Sequence, residues 1–276
     1  LEYSRVVIEK DEKGTAFKGT TENVSRLALD TSALSADGSF TIELDGGPGL
    51  KASPAPGEAR IYLERGPDGW HSSGPPDPGL KGPHRSGGFK DAFRHGFVFV
   101  YGTRGDPAEN ARAFDKARFD AEMFWVRGNG GVEVIPDSAF DAAKAKDRSV
   151  VLYGNADTNR AWPKLLAGCP VEVRKGWARV GDRRFVGPDF AAYFIRPLAG
   201  SAVASVGVVA WTGRAGWVAA SPGQYFISGA GFPDLMLFSA ETLRLGTDGV
   251  RAIGWFGNDW SLERGDVVWN EGRRIH

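Results

Sequence analysis

The sequence predicts a mixed α+β / α/β protein. A small N-terminal all-β unit spans residues 1–65, a Gly/Pro-rich linker spans 66–90, and a Rossmann-like α/β domain with a mixed sheet spans 91–276. Three observations predict it. Short runs of alternating apolar and polar residues fill the first 65 positions. Two strand-like runs, "GFVFVYGTRGDPAEN" (96–110) and "SVVLYGNADTNRAW" (149–162), each end in Tyr-Gly and open into helix-start chemistry. Later apolar runs are separated by hairpin-length turns.

In the first unit the strands are read in "SRVVIEK", "GTAFKGTTE", "VSRLALDTS", "SFTIELDG" and "ARIYLER". Phe40, Ile42 and Leu44 alternate with Ser39, Thr41 and Glu43, so one face turns to a core and the other to water. Asp37-Gly38 and Asp45-Gly46-Gly47 supply turns. From "GPDGW" through "HSSGPPDPGLKGPHRSGG" the density of Gly, Pro and Ser excludes a long regular element, which places a boundary there.

A strand over 97–101 then leads into a helix over 107–126. Asp106 sits at the N-cap, Pro107 at the first helical position and Glu109 at the third, a capping box with a preset φ. Phe114, Ala117, Ala121, Phe124 and Trp125 are expected on the side that packs on the sheet. Phe119 and Met123 fall on the opposite side, where they predict either a covering loop or contact with a partner domain. Strands near 132–135 and 149–153 follow, then a short helical segment over 158–167 that Pro163 interrupts. A hairpin through "VEVRKGWARVGDRRF" and strands at 192–196, 205–211, 235–238 and 249–256 complete the sheet. Strand, helix and strand in succession imply parallel pairing, and the later hairpins imply an antiparallel extension.

Composition narrows the function classes. Lys+Arg and Asp+Glu are equal at 34 each, and no basic run is interleaved with aromatics, so no nucleic-acid partner is expected. No apolar run approaches the roughly 20 residues of a membrane helix, so no membrane partner is expected either. Cys169 is the single cysteine, which excludes an internal disulfide and a cysteine-based metal cage. The sequence opens at Leu1 without the charged start and apolar core of a secretion leader, and it reads as a processed or excised piece.

Motifs for chemistry are sparse. Gly-x-Ser-x-Gly is absent, as is Ser-x-x-Lys with its companions, so no catalytic residue is assigned. Ser86 has His84 two residues away, but "HRSGG" reads as a chain turn. His71, His84, His95 and His276 form no metal-ligand spacing, so no metal and no cofactor are expected. His95 is a candidate acid/base group only if a partner faces it. The polar residues after the two Tyr-Gly runs, Gly102, Thr103, Arg104, Asn155, Asp157 and Thr158, would line the carboxyl edge of parallel strands, where ligands commonly bind. Neither turn carries a phosphate-loop pattern, and Asp106 and Glu109 already place negative charge at the first helix start. "GWFGNDW" (254–260) offers Trp255, Phe256 and Trp260 around Asn258 and Asp259, either as core packing or as a carbohydrate-like platform.

Four segments carry a family resemblance: "TTENVSRLALDTS…FTIELDG", "GPDPGLKGPHRSGGFKDAFRHGFVFVYGT", "VVLYGNADTNRAWPKLL" and "FPDLMLFSAETLRLGTDGVRAIGWFGNDW". Together they resemble the C-terminal region of bacterial, planctomycete-type proteins of the prolyl-oligopeptidase-like α/β-hydrolase kind. The resemblance implies a hydrolase domain N-terminal to this segment, carrying the Ser, Asp and His. This chain would then be a non-catalytic accessory region of a secreted or periplasmic serine hydrolase, an esterase or peptidase. It departs from the family pattern at Pro163, where relatives run an uninterrupted helix, and at "HRSGG", which replaces a more acidic stretch. The rival expectations are a free-standing sugar- or anion-binding module and a small hydrolase with an unmotifed active site.

Overall fold

The computed structural model describes residues 3–32 and 39–270. The Asp37-Gly38 turn and His276 lie outside the described residues. Strand outweighs helix, 36% to 19%, so the protein is mixed α+β with several sheets. The chain divides into two compact units, Leu1–Pro76 and Asp77–His276, a division that falls inside the Gly/Pro-rich stretch 66–90.

That stretch is ordered at both ends. In the first unit the strands are β1 (Arg5–Lys10), β2 (Ala16–Glu22), β3 (Arg26–Asp30), β4 (Phe40–Leu44), β5 (Leu50–Ala52), β6 (Arg60–Gly66) and β7 (Gly69–Ser73), the last of them within the expected linker. They form two sheets, β1-β2-β4-β5 and β3-β6-β7. The predicted alternation in β4 buries Phe40, Ile42 and Leu44, which cluster with Phe17, Leu29, Ile61 and Leu63. Asp45, at φ +56°, accepts hydrogen bonds from the Thr21 backbone N (2.6 Å), the Thr21 hydroxyl (2.7 Å) and Trp70 Nε1 (2.9 Å). One carboxylate therefore joins β2 of one sheet to β7 of the other.

The second unit begins with an anchored segment rather than a free connector. Arg85 is buried, and its guanidinium donates to the carbonyls of Ser201 (3.0 Å), Ala204 (2.8 Å) and Pro78 (2.9 Å). Buried Asp234 accepts from Lys81 Nζ, from Gly88 N and from Phe256 N (2.9 Å). A 3₁₀ turn at Phe89–Phe93 follows. Next come β8 (Val98–Tyr101), α1 (Pro107–Gly128), β9 (Glu133–Pro136), α2 (Ala142–Ala145), β10 (Val150–Tyr153) and α3 (Trp162–Leu165). The expected hairpin at 171–185 is a three-stranded meander, β11 (Val171–Arg174), β12 (Trp177–Val180) and β13 (Arg183–Val186). After it lie β14 (Phe190–Pro197), β15 (Ser205–Trp211), α4 (Arg214–Ala220), β16 (Leu235–Ser239), α5 (Thr242–Leu245), β17 (Val250–Trp255) and β18 (Asp266–Trp269).

Eight of these strands make one mixed sheet in the order β18-β17-β16-β14-β15-β10-β8-β9. β9, β8, β10 and β15 run parallel, and β14, β16, β17 and β18 continue by antiparallel pairing. Every residue of β10 and β15 is buried, the pattern expected of strands covered on both faces. The short helix α4 lacked a sequence signal because it is seven residues long and has no side-chain cap. Gly216 lets it lie on β14, since a Cβ there would collide with the Phe190 carbonyl.

Helix α1 starts as predicted, with Asp106 accepting from Glu109 N and Glu109 accepting from Asp106 N, both at 2.8 Å. Its sheet-facing side is rotated from the expected one. Ala113, Lys116, Ala117 and Asp120 are buried, whereas Phe114 is 40% and Trp125 67% exposed. Phe124 takes the inward place, edge-on to Phe97 at 4.8 Å and tilted against Phe226 at 5.6 Å between ring centroids. Trp125, one residue or about 100° further round the helix, is carried out of the contact.

Candidate functional site

In the parallel part of the sheet the strand order reverses between β8 and β10. From β8 the chain crosses to β9 on one side, whereas β15 lies beyond β10 on the other. The crevice beyond such a switch point is the usual ligand position. The two predicted turns meet there: Gly102 N donates to Tyr153 O (3.0 Å) and Arg104 N to Thr158 O (2.9 Å). Gly102 is required by the approach, since a Cβ on it would stand 2.5 Å from Thr158 O.

The polar groups of this crevice close on one another. Thr103 Oγ1 donates to Asp137 (2.5 Å), which also accepts from Arg160 N (2.6 Å). Asn155 Nδ2 donates to Trp211 O (2.9 Å), and its Oδ1 accepts from Asp157 N (3.0 Å). Thr158 Oγ1 accepts from Asn155 N (3.0 Å). Asn159, which the sequence did not single out, is fully buried, and its Nδ2 spans Val100 O (3.0 Å) and Tyr153 O (3.1 Å). Thus the carboxyl ends of β8 and β10 are bridged by the chain's own side-chain amide. Arg104 stays exposed. Asp157 turns outward to Arg174 (2.5 Å) and accepts from Lys175 N (3.0 Å), while Lys175 Nζ reaches Glu109 (2.7 Å).

The outward turn of Asp157 leads to an open cavity of about 270 Å³ beneath β11 and β12. Its floor is apolar, with Trp162, Leu166, Val171 and Cys169, and its rim carries Glu172, Arg174 and Arg179. The rim follows from hairpin geometry. Lys175-Gly176 is a two-residue turn with Gly176 at φ +77°, so Arg174 pairs with Trp177 and Glu172 with Arg179. Alternation then buries Val171, Val173, Ala178 and Val180 and leaves the charged residues on the other face. Glu172 accepts from Arg174 Nε (2.6 Å) and Arg179 (3.2 Å). Burial works against its charge, but these two guanidinium groups outweigh it and hold the Glu172 pKa below the ordinary carboxylate value. Hydrogen bonding to Glu172, with Asp157 adding to it, raises Arg174. Burial pushes the Cys169 thiol up, so it is a weakly reactive wall of the cavity.

The remaining sequence candidates are held in the fold. Ser86 Oγ contacts Asp91 at 3.4 Å and His84 Nε2 lies 3.1 Å from Pro78 O, so these two side chains turn to different partners. His95 is exposed in a left-handed turn at φ +60°. In "GWFGNDW", Phe256 and Trp260 are core residues, with Arg196 over the former ring and Lys81 over the latter, each at 4.9 Å; of the three aromatics Trp255 alone is exposed, beside exposed Asn258 and Asp259. Phe119 and Met123 line a groove of about 180 Å³ with residues of the 222–227 segment, so part of this face is covered by the chain itself. Phe119 is still 43% exposed.

Beneath that groove lies a buried polar cluster that the residue pattern does not foretell. Lys116 Nζ donates to Asp120 (2.7 Å) and Ser221 O (3.1 Å), and Asp120 also accepts from Tyr153 (3.0 Å) and Tyr225. Burial raises Asp120 and lowers Lys116, each toward its neutral form. No signal could have found it, because a Lys and an Asp four apart on a helix usually form a solvated pair.

Among the described residues no group of three or more His, Cys, Asp or Glu is placed to hold a metal ion. Among the same residues no helix is long and apolar enough to cross a membrane. No protein-family model matches the sequence, and no curated protein matches it.

Proposed function

We propose that this chain is a non-catalytic companion region of a prolyl-oligopeptidase-like serine hydrolase, acting on esters or peptides outside the cytoplasm. The reading unites the segment resemblance with the architecture: the first 76 residues read as an all-β unit, and the second unit as a Rossmann-like sheet extended by antiparallel strands. The observation that carries it is the outer surface of α1 and α4. These helices lie side by side, joined by Trp217 Nε1 to Arg112 O (3.2 Å) and by Lys116 to Ser221 O. Phe114, Phe119, Trp125, Val126 and Val218 on this pair are each at least 40% exposed. Single exposed apolar residues need no explanation, but Phe119 and Val126 share one flank of α1 and Phe114 and Trp125 the other, so the helix offers a partner two apolar stripes separated by the Arg118–Glu122 ion pair.

The test has two arms. Coding DNA upstream of Leu1 is expected to continue in frame through a Gly-x-Ser-x-Gly motif, and a start codon directly before Leu1 overturns the proposal. The hydrolase domain so encoded, produced separately, is expected to co-purify with this chain, and Phe119→Glu with Val126→Glu to abolish that. Ester turnover by this chain alone that a serine-directed inhibitor stops would replace the reading with that of a small hydrolase.

A further inference from the structure

We propose that the cavity between α3 and the β11–β12 hairpin is a binding site for a compact monoanionic carboxylate with an apolar or aromatic body. It is independent of the companion reading, because it rests on a different face and different residues.

Four observations carry it. The cavity lies just outside the carboxyl edge of β10 and β15, since Ala156, on its wall, follows β10 and bonds to Val173 O of β11 (2.9 Å). It opens beside the switch point, whose own crevice Thr158 and Asn159 fill. Its volume of about 270 Å³ is at the low end of ligand pockets, which run from ~300 Å³ upward, and that fixes a small occupant. Its chemistry is divided, with an indole, a leucine and a thiol below and two guanidinium groups around the Glu172 carboxylate above, and such a cavity fits a ligand with an apolar body and one singly charged anionic head.

The charge of the head follows from the neighbours. Arg174 and Arg179 face Glu172 and Asp157, so the four formal charges cancel. Glu172 and Asp157 repel any anionic head, and a dianionic phosphate about twice as strongly as a single carboxylate, which needs only the guanidinium N–H groups these two leave unengaged. Both guanidinium side chains are 40% exposed, so their forks reach an incoming ligand. Planar forks of this kind match a carboxylate in two-point contact.

Calorimetry on the whole chain with 3-phenylpropanoate, 3-phenylpropanamide, phenyl phosphate and acetate tests the assignment. One saturable site is expected for 3-phenylpropanoate. The neutral amide and Arg179→Gln should each weaken binding by about tenfold or more, the loss of one charge-assisted contact. Acetate, lacking the body, should not bind. Ala167 lines the mouth and is exposed, so Ala167→Trp should block the site while leaving the melting temperature unchanged. The proposal is overturned if 3-phenylpropanoate does not bind, if the amide binds as well, if phenyl phosphate binds more tightly, or if Ala167→Trp binds normally.

Discussion

Replacing Lys116 with methionine tests whether the buried cluster is held by its charge pair. The Lys116 side chain is 1% exposed and that of Asp120 is fully buried. Methionine fills the volume of the lysine stem, so packing is nearly conserved and the electrostatic change dominates. Asp120 is left with two tyrosine hydroxyls and no cation, and breaking one side of a buried pair costs about 3–5 kcal/mol. At a urea m-value of ~2 kcal/mol/M, the midpoint of the second unit should fall by about 1.5–2.5 M. Tryptophan fluorescence follows this unit, because every tryptophan but Trp70 lies within it.

The pH dependence gives a second readout. Burial raises Asp120 even with the ammonium beside it, and removing the ammonium raises it further. An acid whose folded pKa exceeds the unfolded 3.8 keeps a proton in the folded state that the unfolded chain has released, so stability falls as pH rises between the two values. The deficit of Lys116→Met relative to the native chain should therefore be smaller near pH 4.5 than at pH 7. The double variant Lys116→Met with Asp120→Asn removes the orphaned charge while leaving the tyrosines an acceptor, and it should be more stable than Lys116→Met alone. A shift below about 0.5 M in urea, a deficit that does not change with pH, or a double variant no better than the single would refute the reasoning.

Two further perturbations probe the other unit and the closed crevice. Asp45→Asn keeps a residue that tolerates left-handed φ but loses one acceptor oxygen, and it should destabilise the first unit by ~1–3 kcal/mol, read as faster hydrogen exchange in β2 and β7. Burial opposes the Asp45 charge, but hydrogen bonds from Trp70 and Thr21 and the charge of Arg65 outweigh it and lower its pKa. That stabilisation is present above the unfolded value of 3.8 and is lost as pH falls through the lower folded value, so the Asn variant should converge on the native chain only in strong acid. Gly102→Ala drives a methyl against Thr158 O and should cost ~1–3 kcal/mol in urea unfolding; an unchanged midpoint would show that the 155–160 loop moves freely.

What was legible in the sequence follows from which forces act locally. Asp106, Pro107 and Glu109 fixed the start of α1 because a capping box is satisfied within four residues. The alternation of Phe40, Ile42 and Leu44 was legible because a strand with one wet face repeats every two residues. Two features were hidden because they depend on partners distant in sequence. Trp125 matched the helical pattern, yet Phe97 and Phe226 select Phe124 for the inward place. Lys116 and Asp120 look like surface residues until Tyr153, Ser221 and Tyr225 are folded around them. The cavity rim lies between these cases. The Lys175-Gly176 turn sets the pairing of Glu172 with Arg179, so the sequence contained the ion pair, but the floor comes from α3, and only the fold brings the two together.

The switch point itself shows why polar residues at strand ends are an ambiguous sign of binding. A ligand in such a crevice needs donors and acceptors that the fold leaves unpaired. Here Asn159 supplies a bridging amide to Val100 and Tyr153, Asn155 reaches Trp211, and Asp137 gathers Thr103 and Arg160. These are the same side-chain types a ligand site would use, employed to hold two loops over the sheet. Asp157 differs because its carboxylate leaves the crevice for Arg174, and that one ion pair connects the strand-end turn to the hairpin rim. Any binding chemistry near this edge is therefore displaced outward, onto groups such as the Arg174 fork whose hydrogen-bonding capacity the fold does not exhaust.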